Sequence, residues 1–324
     1  AYEAFALPIE LGWRVHQLMG IITMAGVSDK GESAQMGPYY PGGMGKARAL
    51  RYNCRVEAGA INSLNEVIVK LTFYDSVSLF ADLADEWDLL LEESSANRVF
   101  SSYLWQTTWW EIYQPGQIWA MAVRDDDGQL QGIAPWFLCG RQPEARKVSQ
   151  IGCVDVTDYL QVIVRKGQEG AVFSAFADYI AAHPDRYNVL ELCNIPESSP
   201  MREWLPGLIE ARGLSCVEEV QDVCPVIALP EDWEGYVNSL NKKNRHELRR
   251  KIRRAGEVDW YIVGPEHDIN AEMERFFTLM RSSSPLKAEF LEDPHHAAFF
   301  AAVTPKLLEK GWLQLAFLLV SGEP

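Results

Sequence analysis

The 324-residue chain contains no C-x-x-C pair, no H-x-x-x-H, no G-x-S-x-G and no G-x-x-x-x-G-K-[ST] loop. Those gaps remove the motif support for a zinc site, a serine hydrolase and a nucleoside-triphosphate enzyme. No apolar run reaches the ~20 residues that a membrane span needs. The longest early run, LMGIITMAGV (18–27), lacks a basic start and a small-residue cleavage site, so it is not expected to be a signal peptide either. Cations are scarce: 30 Lys and Arg stand against 45 Asp and Glu, a formal net charge of −15. The averaged field of such a chain repels nucleic acid and anionic lipid. The six cysteines, Cys54, Cys139, Cys153, Cys193, Cys216 and Cys224, lie mostly in strand-like apolar runs. They are expected to be reduced, buried thiols, which favours a cytoplasmic setting over a disulfide framework.

What is present is core material. The apolar fraction is 48%, with 11 Trp, 12 Tyr and 13 Phe, and the length leaves room for about two domains. Residues 1–65 hold nine of the 23 glycines and four of the eight methionines, and MGPYYPGGMGKA (36–47) has neither helical nor strand period. This stretch reads as a poorly ordered leader or a segment foreign to the domain.

From Val67 the pattern turns regular, and 66–229 reads as a first module. VIVKLTF (67–73) predicts a strand. Leu79, Leu83, Trp87 and Leu90 recur at helical spacing after Ser76 and Ser78, which can cap. A second helix, SYLWQTTWWEIYQ, covers 102–114. IWAMAVR (118–124) and QLQGIAPWFL (129–138) flank an Asp127-Gly128 turn, a hairpin signal. Strands follow at KVSQIGCV and DYLQVIVR, a helix at 168–182, the strand YNVLELCNI, a helix ending near Arg212, and CPVIALP as a closing strand. After Pro230 the pattern restarts with a helix near Asp232, a basic helix, the strand VDWYIVG (258–264), helices at about 270–282 and 293–310, and the strand WLQLAFLLV (312–320). That last strand repeats the first arm of the 118–138 hairpin but has no returning strand. On this basis 230–324 is expected to be the opening of an incomplete second module.

Six stretches, in order, carry a resemblance: W-x-x-x-WW (105–110), D-G-x-L-x-GIAP (127–135), D-Y-L (158–160), CP-x-I-x-LP (224–230), L-N-K-K-N-R-x-x-L-R-R (240–250) and G-W-L-x-L-A-x-L-x-V-x-G-E-P (311–324). Over about 68–324 the chain resembles the CelD-like acetyltransferases of the GNAT (acyl-CoA N-acyltransferase) superfamily, related in layout to the FemABX aminoacyltransferases. The resemblance implies an α/β fold of tandem GNAT-like modules, the second truncated. It also implies transfer of an acyl group from acyl-CoA, a co-substrate rather than a resident cofactor, to an amine or hydroxyl acceptor. A small-molecule or saccharide acceptor, in polysaccharide or cell-envelope metabolism, follows from the same resemblance. A FemABX-like reaction with aminoacyl-tRNA, or a non-enzymatic binding module, are the alternatives. The R/Q-x-x-G-x-G/A loop on which GNAT enzymes hold the CoA pyrophosphate is absent from 66–324. The donor site is therefore expected beyond Pro324, with the full-length protein active and this stretch alone inactive.

Three features are candidates for chemistry. Eight of the sixteen residues in NKKNRHELRRKIRRAG (241–256) are Lys or Arg. Placed on a helix, they leave only a narrow stripe of Leu248, Ile252 and Ala255, so the helix reads as a solvated face on which Arg245 and Arg249 could meet an anion. Trp105 and Trp109, with Tyr113, lie at i, i+4, i+8, the spacing of a core face or of a groove for an extended, sugar-like acceptor. Asp155, Asp158 and Tyr159 follow Gly152 at a strand start. A turn-forming aspartate is one reading; an acceptor-amine contact or general base, served by Asp158, is the other. His295 and His296 are adjacent, point apart on a helix, and form a poor metal pair.

Overall fold

The apolar periodicities resolve into an α/β protein. The computed structural model describes residues 45–56, 69–140, 142, 145–153, 156–255 and 258–319, in two units that meet in sequence at Cys224 and Pro225.

The first unit contains β1 (Gly45–Val56), β2 (Lys70–Tyr74), α1 (Ser78–Glu92), a short 3-10 turn (Val99–Ser101), α2 (Tyr103–Tyr113), β3 (Gln117–Ile118), β4 (Ala120–Arg124), β5 (Leu130–Ala134), β6 (Trp136–Cys139), β7 (Lys147–Gln150), β8 (Ile163–Val164), α3 (Glu169–Ala182), β9 (Val189–Pro196), α4 (Pro200–Glu210) and β10 (Leu214–Val226). Two sheets form, β10-β1-β9-β7-β6-β3 and β2-β4-β5-β8. The main core lies where Trp119, Met121, Trp136, Val148, Leu190 and Leu192 of the strands meet Phe173, Phe176 and Ile180 of α3 and Leu205 and Ile209 of α4. Burying such side chains contributes about 1.5–3 kcal/mol each.

Strand β1 lies inside the stretch expected to be a leader, and it pairs antiparallel with β9, Cys54 opposite Leu190. Its alternation, with Tyr52 and Cys54 buried, inserts it into the core; residues 1–44 and 57–68 lie outside the described residues. The sequence predicts a serine cap for α1, yet no side chain caps it, and the Ser76 and Ser78 hydroxyls bond each other at 3.1 Å. It also predicts one long hairpin over 118–138. The arms instead break at Trp119 and Pro135 and serve both sheets: β4 pairs with β5, β3 with β6. Pro135 has no N–H with which to continue a ladder. The Gly128 N–H closes the turn on the Asp125 carbonyl at 3.0 Å, with Gly128 at φ 81°. The closing strand, expected at CPVIALP, runs from Leu214 to Val226, because ladder bonding to β1 and not local hydrophobicity sets its length.

Cys153 and Cys193, expected as thiols, are joined in a disulfide with Cα atoms 6.2 Å apart; Cys54, Cys139, Cys216 and Cys224 are free. The two bonded residues are 40 apart in sequence, so no local pattern marks them.

The second unit holds α5 (Trp233–Ser239), α6 (Lys242–Ala255), β11 (Asp259–Ile262), α7 (Ile269–Ser283), α8 (Pro285–Phe290), α9 (Pro294–Glu309) and β12 (Ala316–Leu319). Asp232, Asp268, Ser284 and Asp293 cap α5, α7, α8 and α9 through their side chains. Ser284-Pro285 thus opens a short helix. The strand expected over 312–320 is shorter: Trp312 and Leu313 donate backward to the Leu307 carbonyl at 2.8 and 3.2 Å, finishing α9. Its remainder pairs antiparallel with β11, Tyr261 opposite Phe317.

Candidate functional site

In the first unit the candidate residues converge on the segment between β7 and β8. It leaves β7 through Gly152, at φ 102°, where a Cβ would come within 3.1–3.3 Å of Leu160 and Thr157. Only glycine adopts that backbone without strain or crowding. The segment then runs from Val156 to Val162 outside any ladder, so its polar groups need side-chain partners. Thr157 Oγ1 accepts from Trp105 Nε1 at 3.0 Å, and the Thr157 carbonyl accepts from Asn194 Nδ2 at 2.7 Å. Gln161 donates to the Ser95 carbonyl and accepts from Ser199.

Asn194 stands in a β-bulge. Along β1 the step from Leu50 to Tyr52 spans two residues, while the matching step on β9, from Ile195 to Leu192, spans three. The extra residue falls at Cys193 and Asn194, and Asn194 takes φ 57°, a conformation asparagine tolerates better than most residues. Its backbone N–H donates to Gln221 Oε1 at 2.9 Å, and Gln221 Nε2 returns a bond to Asn194 Oδ1 at 2.8 Å. The bulge thereby ties the segment to β10, and the Cys153–Cys193 disulfide ties the start of the segment to β9.

Within this frame Asp158 keeps an exposed flank, yet burial of its carboxyl raises its pKa above the usual 3.8, and the Asp222 carboxylate on β10 adds to the rise. Tyr159 has φ 55°, rare for an aromatic residue. Burial, and then its hydrogen bond with the Cys224 thiol, pushes the phenol above its usual range. The Arg98 guanidinium lies 5.3 Å from the Tyr159 ring centroid, and burial lowers its pKa. A raised carboxyl beside a second carboxylate suits contact with a cationic amine and removal of its proton.

Trp105 is therefore bonded to Thr157, the residue next to Asp158 in sequence. Trp109 is not: it is fully buried, stacked on Tyr113 at 5.0 Å and packed on Phe137 at 5.7 Å. Its surroundings are those of a core residue. Asp155 lies outside the described residues. Arg98, Thr157, Asn194, Gln221, Asp222 and Cys224 complete the cluster and were not singled out from the sequence. The one local signal was Asn194, a turn former inside a strand-like run.

Arg245 and Arg249 belong to the second unit, on α6. Asn241 caps that helix by accepting from the Asn244 N–H at 2.9 Å. Arg245 is half-buried and donates to the carbonyls of Asn238 at 3.1 Å and Leu240 at 2.9 Å, the chain end of α5. Arg249 is exposed, and Arg250 is matched by Glu247 one turn earlier. A polar network missed from the sequence follows: the Tyr261 hydroxyl donates to buried Glu272 at 2.8 Å and accepts from Arg275 Nη1 at 2.5 Å, while the Tyr261 ring stacks on His267 and Phe317. It fastens α7 to the β11–β12 pair. Among the described residues no group of three metal-ligating side chains occurs, and no helix is long and apolar enough to cross a membrane.

No curated protein matches the chain. Residues 242–324, from α6 through β12 and beyond, match the acetyltransferase (GNAT) domain family, a similarity that supports the GNAT superfamily and acyl transfer in general.

Proposed function

We propose that the chain belongs to a GNAT-type acyltransferase that, when full length, takes an acyl group from acyl-CoA and delivers it to an amine or hydroxyl acceptor, in polysaccharide or cell-envelope metabolism. The observation that carries this reading is the GNAT domain match over 242–324. The first unit is read as a GNAT-like module without a donor site of its own. Its Asp158–Tyr159 segment is read as an acceptor contact: Asp158, with its raised pKa, attracts a cationic amine, and Trp105 holds the segment through Thr157. On α6, Arg249 presents the exposed anion contact, whereas Arg245 is engaged with backbone carbonyls. Four free cysteines support the cytoplasmic setting, and the Cys153–Cys193 disulfide stands against it. A non-reducing peptide map of protein taken from native cells decides it, because a Cys153–Cys193 bridge there would place the chain in an oxidising compartment.

The test of the reaction is thiol release from acetyl-CoA in the presence of a panel of amines and sugars, with calorimetry for donor binding. Release that depends on the acceptor supports the proposal. Asp158→Asn should then lower kcat/KM for amine acceptors by about 10²-fold while leaving KM for acyl-CoA unchanged. Absence of any heat with acetyl-CoA, together with binding of a charged tRNA, would replace the proposal with the aminoacyl-transfer alternative.

A further inference from the structure

We propose that Cys54 and Cys216 are a redox-convertible pair whose oxidation to a disulfide staples the edge strand β10 to β1. The pairing rests on register. β10 is the outermost strand of the six-stranded sheet and β1 is its neighbour. The Tyr52 hydroxyl donates to Glu218 Oε2 at 2.7 Å, and the Cys54 and Cys216 thiols are hydrogen bonded to each other. Moving two residues forward on β1, from Tyr52 to Cys54, moves two residues back on β10, from Glu218 to Cys216. Both contacts therefore fit a single antiparallel register in which the two cysteines stand opposite one another. Opposed residues in such a pair have Cα atoms about 4.5–5.5 Å apart, inside the range a disulfide spans. Both side chains belong to the same core layer, Cys54 fully buried and Cys216 partly so.

The two sulfurs are unequal. The hydrogen bond from Cys54 lowers the Cys216 pKa, and the same bond followed by burial raises that of Cys54. Cys216, the more accessible, is the attacking thiol and Cys54 the resolving one. In exchange with a small-molecule disulfide such as oxidised glutathione, the Cys216 thiolate attacks one sulfur, the reagent's S–S bond breaks, and one glutathione leaves with the proton that Cys216 gave up. The Cys54 sulfur then attacks Cys216, and its proton leaves with the second glutathione. Two protein thiols have lost two electrons and two protons, and one disulfide has become two thiols.

Strand β10 also carries Gln221 and Asp222, which hold Asn194 and face Asp158. A staple at Cys216 limits the opening of the strand that completes that cluster.

The experiment treats the whole chain with oxidised glutathione, blocks remaining thiols with an alkylating agent, and maps peptides by mass spectrometry without reduction. A linked Cys54–Cys216 peptide that dithiothreitol reverses is expected. The Cys54→Ser variant should instead stop at a glutathione adduct on Cys216. Alkylation of both residues under conditions that modify Cys139 or Cys224 would overturn the pairing. In the oxidised protein, backbone amides around Gln221 should exchange with deuterium about tenfold more slowly. Unchanged exchange despite a formed link would overturn the role assigned to β10.

Discussion

Asn194 and Gln221 hold each other through two reciprocal hydrogen bonds, Asn194 N–H to Gln221 Oε1 at 2.9 Å and Gln221 Nε2 to Asn194 Oδ1 at 2.8 Å. With Asn194 Nδ2 on the Thr157 carbonyl, three elements far apart in sequence are joined at one bulge. Asn194→Gly keeps the left-handed backbone and loses the side-chain bonds, so it should cost about 1–2 kcal/mol. Asn194→Ala should cost about 1 kcal/mol more for the forced φ. Urea titration of the two variants checks the order; equal stabilities would mean the backbone conformation carries no strain.

The direction of the Asp158 shift makes a pH prediction. A carboxyl whose folded pKa lies above its unfolded 3.8 favours the folded state while protonated, and that contribution is lost as pH rises through the folded value. Asp158→Asn should therefore raise Tm at pH 7, and the gain should disappear below about pH 4. Thermal melts at pH 3.5, 5 and 7 measure it. A variant less stable than the parent at pH 7 would show that the carboxylate is favourably paired.

The two arginines of α6 should separate cleanly. Arg245→Ala removes bonds to two helix-end carbonyls and should cost about 1–3 kcal/mol. Arg249→Ala, at an exposed position, should stay within about 0.5 kcal/mol. Denaturation gives the stabilities, and titration with inorganic pyrophosphate shows whether Arg249 meets an anion.

Trp109 distinguishes a core from a groove. Truncating a fully buried tryptophan leaves a cavity, and Trp109→Ala should destabilise by about 3–5 kcal/mol. A near-neutral effect on stability combined with a lost acceptor affinity would return it to the groove.

Much of the secondary structure was legible because its causes are local. Leu79, Leu83, Trp87 and Leu90 mark α1 by spacing alone, and all four are buried on one face. Asp232 and Asp293 mark helix starts by the chemistry of the cap. Of the site, Trp105 on α2 and the Asp158–Tyr159 pair are separate candidates in the sequence, and the Trp105–Thr157 hydrogen bond brings them together. Asn194 and Asp222 lie tens of residues away, and a lone charged or amide side chain such as Arg98 carries no period. Strand β1 was misread for the same reason: glycine-rich flanks hide a strand that only its ladder with β9 reveals.

The sequence by itself determined that this is an α/β chain with abundant aromatic core, an acidic surface and a basic helix from Lys242 to Ala255, since composition and periodicity are properties of neighbouring residues. The tertiary structure decided the rest: Trp109 lies inside, Arg245 faces carbonyls, Cys153 joins Cys193 and Asp158 shares its surroundings with Asp222. The Cys153–Cys193 link and the Asp158 surroundings depend on which strands pair and where a bulge falls, and the Trp109 and Arg245 outcomes on how helices pack and end. Pairing is a contact between distant residues, and no local spacing encodes it.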